Sequence, residues 1–357
     1  MKIENLLELE PFSMNRSEKN SAYNEIFKKL AQHHYSKCND YRKIIDAINF
    51  DVMNMTDFRK LPSIPVRLFK EYDLKSVKDD EIIKKMTSSG TSGQKVSRIY
   101  LDRSTATNQT KVLAKIMSDF LGNKRLPMLI IDTEEILKNR NNFSARAAGI
   151  LGFRTFGHDA TFALNEDMTI NFELLNDFLD KYSGKDILIF GFTSIIWEHF
   201  HKVLINSTRE SVDIKNGILI HGGGWKKLEN QSVDSMTFRK KIKESCGINR
   251  IHNYYGMIEQ TGSIYMECEE GHLHCSNFSD IEIVNNKLEP DSNGNSGLIK
   301  LYSTLPHSYP GHVILTEDIG EIIGEDNCRC GKKGKYFKVH GRVKDAEIRG
   351  CSDTYQS

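Results

Sequence analysis

The sequence predicts an α/β protein in which a layered, largely parallel sheet is followed by a smaller β-rich subdomain. Three observations carry this. Between Leu126 and Gly262 short apolar runs alternate with amphipathic segments, the signature of strands joined by helices. After Ser263 the pattern shortens to alternating strands broken by turn clusters. The 357 residues suffice for one large domain or two ordinary ones with a substantial core.

In chain order, Tyr23, Ile26, Phe27 and Leu30 recur at helical spacing, as do Tyr41, Ile44, Ile45 and Ile48, so the start reads as a helical pair covering a sheet. Val96, Arg98, Ile99, Tyr100 and Leu101 are β-branched or bulky and suit a strand. The α/β alternation follows: strands at Leu126 to Ile131, Ile187 to Phe190, Ile218 to Ile220 and Arg250 to Tyr254. Between them, a helix spans Ile195 to Leu204, and a second, around Phe238 and Ile242, ends at Gly247. Strands at Ile264 to Met266, Ile281 to Val284, Leu298 to Tyr302 and Val313 to Leu315 form the β-rich part, with a turn at Asp291 to Gly294. The segments expected are a helical cover over 1–85, an α/β ATP-binding core over 86–262, a β-rich subdomain with a candidate zinc site over 263–340, and a hinge and tail over 341–357.

Lys+Arg 49 against Asp+Glu 48 leaves a formal charge of +1, which points away from nucleic acid and anionic membranes and towards small-molecule chemistry. The start, Met1 to Phe12, lacks the basic and apolar blocks of a signal peptide. The longest apolar runs fall far short of the ~20 residues of a membrane span. A cytoplasmic protein with no integral membrane segment is therefore expected. Seven cysteines in a reducing compartment are core residues, metal ligands or nucleophiles rather than disulfides. Cys38 and Cys246, in helical segments, read as packing residues.

Thr87 to Lys95 reads Thr-Ser-Ser-Gly-Thr-Ser-Gly-Gln-Lys. Glycines let backbone N–H groups turn towards an anion, hydroxyls add donors, and Lys95 adds a mobile positive charge, so polyphosphate is the expected guest. This is not a P-loop: Gly90 and Gly93 stand too close, and a strand rather than a helix follows. The alternative is a Ser/Gly surface turn. Three more segments end predicted strands, where open α/β sheets bind ligands. His221-Gly222-Gly223-Gly224-Trp225 lets a flat ring approach the backbone. Asn253-Tyr254-Tyr255-Gly256-Met257-Ile258-Glu259 offers a stacking ring and, four residues on, a carboxylate for Mg²⁺. Thr316-Glu317-Asp318 offers an acceptor for ribose hydroxyls. Gly341-Arg342 follows. Singly, each has an ordinary alternative: a glycine turn, a core tyrosine, a solvated acid.

In this order they resemble the adenylate-forming superfamily of acyl-CoA synthetases, peptide-synthetase adenylation domains and firefly-type luciferases, over about residues 86–350. The resemblance implies that fold's N-terminal domain. It puts Ser88, Ser89, Gly90, Thr91, Ser92, Gly93 and Lys95 on the ATP phosphates, and Gly222, Gly223, Gly224, Tyr255 and Gly256 at the adenine. Glu259 falls on Mg²⁺, Asp318 on the ribose, and Arg342 on the ribose and phosphate at the hinge. One departure is Ile258 where the superfamily carries a Thr/Ser hydroxyl. Another is that superfamily members carry a mobile C-terminal domain of ~100 residues with a catalytic lysine. This chain stops sixteen residues after Gly341, so that domain is not expected here.

What stands there is Arg349-Gly350-Cys351-Ser352-Asp353. With Leu61-Pro62-Ser63-Ile64-Pro65-Val66-Arg67-Leu68-Phe69-Lys70 it resembles the acyl-protein synthetases of the bacterial luminescence fatty-acid reductase system, over essentially the whole chain. The resemblance implies that a long-chain fatty acid is activated as acyl-AMP, moved to Cys351 as a thioester, and delivered to a partner acyl-protein reductase. The nine residues from Arg342 to Cys351 span at most ~30 Å, so a tethered thiol has reach and a high effective concentration. Gly350 eases bending, and Arg349 favours the thiolate. Residues between Phe143 and Phe162 are candidates for an acyl pocket, or equally core aromatics. Two other functions fit the same residues: a phenylacetate-type ligase using free coenzyme A, and a zinc-stapled nucleotide-binding module without catalysis.

Cys268, His272, His274, Cys275, Cys328 and Cys330 form two clusters that can close a tetrahedral Zn²⁺ site. Phenylacetate-CoA ligases show a similar pattern, which points to Cys268, His274, Cys328 and Cys330 in a structural role. The alternative is a set of buried reduced thiols.

Overall fold

The computed structural model describes residues 3–88, 95–138, 145–207, 212–285, 287–291 and 294–343. The described residues divide into two compact units, one holding those up to Asp119 together with those from Gly256 to Val343, the other holding those of Phe120–Tyr255.

In the first unit a 22-residue helix, Arg16–Lys37, starts at Asn15, whose side chain accepts from the N–H groups of Ser17 and Glu18 while Glu18 returns the bond. This capping box satisfies donors that a helix start leaves open. The helix buries Tyr23, Ile26, Phe27 and Leu30, as the spacing predicts, and Asn39–Ala47 follows with Tyr41 and Ile45 buried. Ile48, expected on that buried face, is instead 52% exposed, because the helix is already capped there.

An antiparallel sheet runs Ser279–Val284, Gly297–Ser303, Val313–Glu325, Lys335–Arg342, Leu273–His274, Tyr265–Glu267, and the short Ile64–Pro65 pairs parallel with Val313–Glu325. The long helix is tied to it across sequence: Asn277 Oδ1 accepts from Met14 N at 3.0 Å, and Lys19 Nζ donates to Ser279 O at 2.9 Å. Phe27, Phe58 and Tyr302 pack with ring centroids 5.2–5.7 Å apart. The compact units therefore run differently from the segments expected at 85/86 and 262/263: the helical start, the serine-rich hairpin and the β-rich part share one core. That hairpin pairs Ile82–Thr87 with Arg98–Asp102, and Thr87 opposite Arg98 closes it.

The second unit is a parallel sheet ordered Gly157–Leu164, Leu126–Thr133, Ile187–Phe192, Gly217–Gly222, Arg250–Tyr255. Leu126–Thr133, Ile187–Phe192 and Gly217–Gly222 are almost wholly buried, which is why they read as continuous apolar runs. Gly157–Leu164 is a half-exposed edge strand without such a run. Ser235–Cys246 ends at Gly247, which takes the left-handed φ of 77° that glycine tolerates best. The helix expected over Ile195 to Leu204 is present, with a π-helical stretch at Ile196–His201 that apolar spacing does not announce.

Candidate functional site

The serine-rich hairpin is closed by two hydrogen bonds: Ser88 N donates to Ser97 O at 3.0 Å, and Ser97 N to Ser88 Oγ at 2.9 Å. Ser89, Gly90, Thr91, Ser92 and Gly93 lie outside the described residues. Lys95 is exposed. Ser97 is buried, and its hydroxyl meets the carboxylate of Glu259. Ser97 shares a strand face with the buried Ile99 and Leu101. That alternation is the sequence signal that would have found it, since a hydroxyl on a buried face needs a partner.

Glu259 sits on a 3₁₀ turn, Ile258–Gln260, and is 4% exposed. Burial raises its pKa above the ordinary glutamate value, and the Glu317 carboxylate pushes the same way. The Ser97 hydroxyl and Arg342 guanidinium pull it down without overcoming the burial. Arg342 faces Asp318 across the ladder, Nε to Oδ1 at 3.3 Å. A register shift beside that pair, between Ile319 and Gly320, is a β-bulge, a device that re-aims side chains. Thr316 Oγ1 donates to Ile299 O at 2.9 Å and accepts from Asp318 N at 3.1 Å, which fixes the Asp318 backbone. Ser97, Glu259, Glu317, Asp318 and Arg342 therefore form one polar cluster within the first unit. Sequence reasoning singled out Glu259, Asp318 and Arg342, named Glu317 only as part of the Thr316-Glu317-Asp318 segment, and missed Ser97.

In the second unit, Gly222 ends its strand with a Cβ position 2.6 Å from the Tyr254 ring, and a Cβ on Gly223, at φ 84°, would stand 2.7 Å from Phe192. Any side chain there collides, so these glycines are required by close packing. Gly224, at φ 66°, faces open space. The ring against the glycines is Tyr254; Tyr255, next along a strand, points to the opposite side. Gly256 opens the first unit's second segment, 3.1 Å from Ile264 by its Cβ position. Of the acyl-pocket candidates, Phe143 is outside the described residues, while Phe153 stacks on Phe190 at 4.4 Å and packs on Tyr254 at 5.1 Å. Phe153 is thus core in this unit.

Cys268, His274, Cys328 and Cys330 have their ligand atoms within 4.8 Å of one another. Cys268 Sγ and Cys328 Sγ are 3.9 Å apart, and Cys330 Sγ and His274 Nε2 are 3.4 Å apart. A tetrahedral zinc with Zn–S ~2.3 Å and Zn–N ~2.0–2.1 Å has S···S and S···N edges of roughly 3.8 and 3.6 Å, so the four atoms fit Zn²⁺. Burial, chiefly, holds the His274 pKa down to about 3, keeping the ring in its neutral, ligand-competent form. Of the two further candidates, His272 lies 3.8 Å by Nδ1 from Cys328 Sγ, and Cys275 is buried outside the cluster.

The model of the acyl-protein synthetase family (LuxE) matches residues 2–357. The chain belongs to that family. Acyl-protein synthetases are ligases, and two curated relatives carry the name long-chain-fatty-acid–luciferin-component ligase. The one from Vibrio harveyi is 26% identical over 96% of this chain and 89% of its own length. The one from Aliivibrio fischeri is 24% identical over 89% and 84%. Among solved structures, an open conformation of 2-hydroxyisobutyryl-CoA ligase in complex with 2-HIB-AMP and CoA superposes with a TM-score of 0.71 at 16% identity, covering 93% of this chain and 77% of that one. At that identity the likeness concerns the fold, which is the adenylate-forming one. Within this acyl-protein synthetase the expected acceptor Cys351 lies outside the described residues. Among the described residues no helix is long and apolar enough to cross a membrane.

Proposed function

We propose that this chain activates a long-chain fatty acid with ATP to the acyl-adenylate, passes the acyl group to its own Cys351 as a thioester, and delivers it to an acyl-protein reductase. The observation that carries the reading is the cluster of buried Glu259, Ser97 and Asp318 with the exposed Arg342 beside them, at the foot of the hydroxyl-rich hairpin, in a chain matched by the family model over residues 2–357.

Activation requires a carboxylate oxygen of the fatty acid to attack the α-phosphorus of ATP while the bond to the pyrophosphate oxygen breaks. The hairpin's N–H groups, hydroxyls and Lys95 hold phosphate oxygens where negative charge builds. Asp318, steadied by Arg342, accepts from the ribose hydroxyls. The adenine role of Gly222, Gly223, Gly224, Tyr255 and Gly256 rests on the family pattern alone. A carboxylate as buried as Glu259 calls for a cation beside it, and Mg²⁺ fits: when bound it neutralises phosphate charge and aligns the reacting oxygens. In the second step the Cys351 thiolate attacks the acyl carbonyl, a C–S bond forms, the C–O bond to AMP breaks, and the thiol proton goes to solvent. Zn²⁺ at Cys268, His274, Cys328 and Cys330 is structural and takes no part in either step.

The test is fatty-acid-dependent exchange of labelled pyrophosphate into ATP. Wild type should show it, and Glu259→Gln, which keeps shape and loses charge, should fall by roughly 10²- to 10³-fold, the scale of losing one charge-stabilising group in a closed site. Exchange undiminished in the variant would remove Glu259 from the chemistry.

A further inference from the structure

The residue after Glu259 has no part in the reaction as described, yet it is held more elaborately than its neighbours. Gln260 is 2% exposed. Its Nε2 donates to the carbonyl of Gly311 at 2.9 Å, with those of Leu301 at 3.3 Å and His312 at 3.5 Å around it. Leu301 and His312 belong to the two ends of the hairpin joining Gly297–Ser303 to Val313–Glu325, whose register pairs Tyr302 with Val313. The amide therefore fastens the Ile258–Gln260 turn to the place where two core strands meet. Gly311, its nearest acceptor, also abuts Glu259: a Cβ there would lie 2.6 Å from the Glu259 carbonyl oxygen and 2.4 Å from the Tyr309 ring. Gln109 Nε2 holds the Tyr309 hydroxyl at 3.3 Å.

Three carbonyl oxygens around one nitrogen demand a donor, and glutamine supplies two N–H groups at the end of an uncharged side chain. Gln260 Oε1 is buried without a partner, a cost that a residue kept for packing alone would not carry. What the fold retains is the donor end, aimed at the carbonyls of Leu301, Gly311 and His312, and Gly311 is the residue that abuts the Glu259 backbone.

We propose that Gln260 is a positioning residue for Glu259: its carboxamide sets the height of the turn over the sheet, so that the carboxylate reaches Ser97 and the nucleotide-bound cation. The inference rests on the proposed function and deepens it. Gln260→Met keeps length and volume and removes the donor, while Gln260→Glu turns an oxygen towards three oxygens. In pyrophosphate exchange, each should raise the KM for Mg²⁺ by about 10-fold and lower kcat, since a misplacement of ~1 Å costs rates of that order or more, while the KM for the fatty acid stays put. Effects of Gln260→Met and Ser97→Ala on the Mg²⁺ KM should be non-additive, because both act on one carboxylate. If Gln260→Met does not fold, Gly311→Ala is read in its place, its methyl group pressing on the same carbonyl. An unchanged Mg²⁺ KM beside a lowered Tm would show packing only and overturn the proposal, as would strict additivity. Wild type without any exchange would sink the proposed function itself, a different result from active wild type beside an unaffected variant.

Discussion

A carboxylate closed off from water, like that of Glu259, resists ionising until a cation or donors arrive, and the same physics acts in reverse on the buried histidines. His34, His221 and His312 are nearly sealed from solvent, and burial lowers the pKa of each, to about 3 for His221 and His312. The unfolded chain therefore binds protons below about pH 6.5 that the folded one refuses. Stability is complete above that pH and is lost as pH falls towards 3, at ~1.4 kcal/mol per pH unit for each fully counted histidine. The urea midpoint should fall steeply between pH 6.5 and 5, and His312→Gln should flatten the slope by about one proton whatever it does to the level at pH 8. An identical slope in wild type and variant would contradict the assignment. At this scale the sequence disclosed the residues whose chemistry is unusual for their setting, such as Glu259 after a tyrosine-glycine run. It disclosed Ser97 and Glu317 less readily, because their significance lies in what they touch.

Among elements, the strand Leu273–His274 is two residues long, too short for any periodicity to register and too short to stand by its own ladder bonds. With Zn²⁺ bound, as proposed, the cysteine and histidine cluster would supply what the ladder lacks, joining the end of Tyr265–Glu267, this strand and the turn at Cys328 to Cys330. Purified protein should carry about one zinc per chain by elemental analysis, and Cys328→Ser should lose it and lower Tm by several degrees, in line with the loss of a structural metal. Protein free of zinc whose Tm equals that of the variant would refute the site. Longer elements were legible: the buried runs at 126–133, 187–192 and 217–222 and the amphipathic helix 16–37 announce themselves by length and period. Lys335–Arg342 did not, since half its residues are exposed and Lys338 and Arg342 among them are charged. Nor did the pairing of Asp318 with Arg342, which depends on a ladder between strands and not on either segment alone.

For the whole molecule, the order of motifs carried more than any one of them. The hydroxyl-rich loop, the glycine run, the tyrosine-glycine turn and the late arginine have ordinary meanings singly, and their sequence along one chain pointed to the fold that a TM-score of 0.71 supports. The resemblance already drew Glu259 and Arg342 to one nucleotide, but the place of Ser97 beside Glu259 was not legible, because it is made by folding together segments far apart in the chain. In the proposed function the chain is its own acyl acceptor. Intact mass after incubation with ATP, Mg²⁺ and a long-chain fatty acid tests it most directly. Wild type should gain one acyl adduct, sensitive to hydroxylamine and absent from Cys351→Ser, while that variant still exchanges pyrophosphate. An unmodified chain that forms thioester only on added coenzyme A would contradict it.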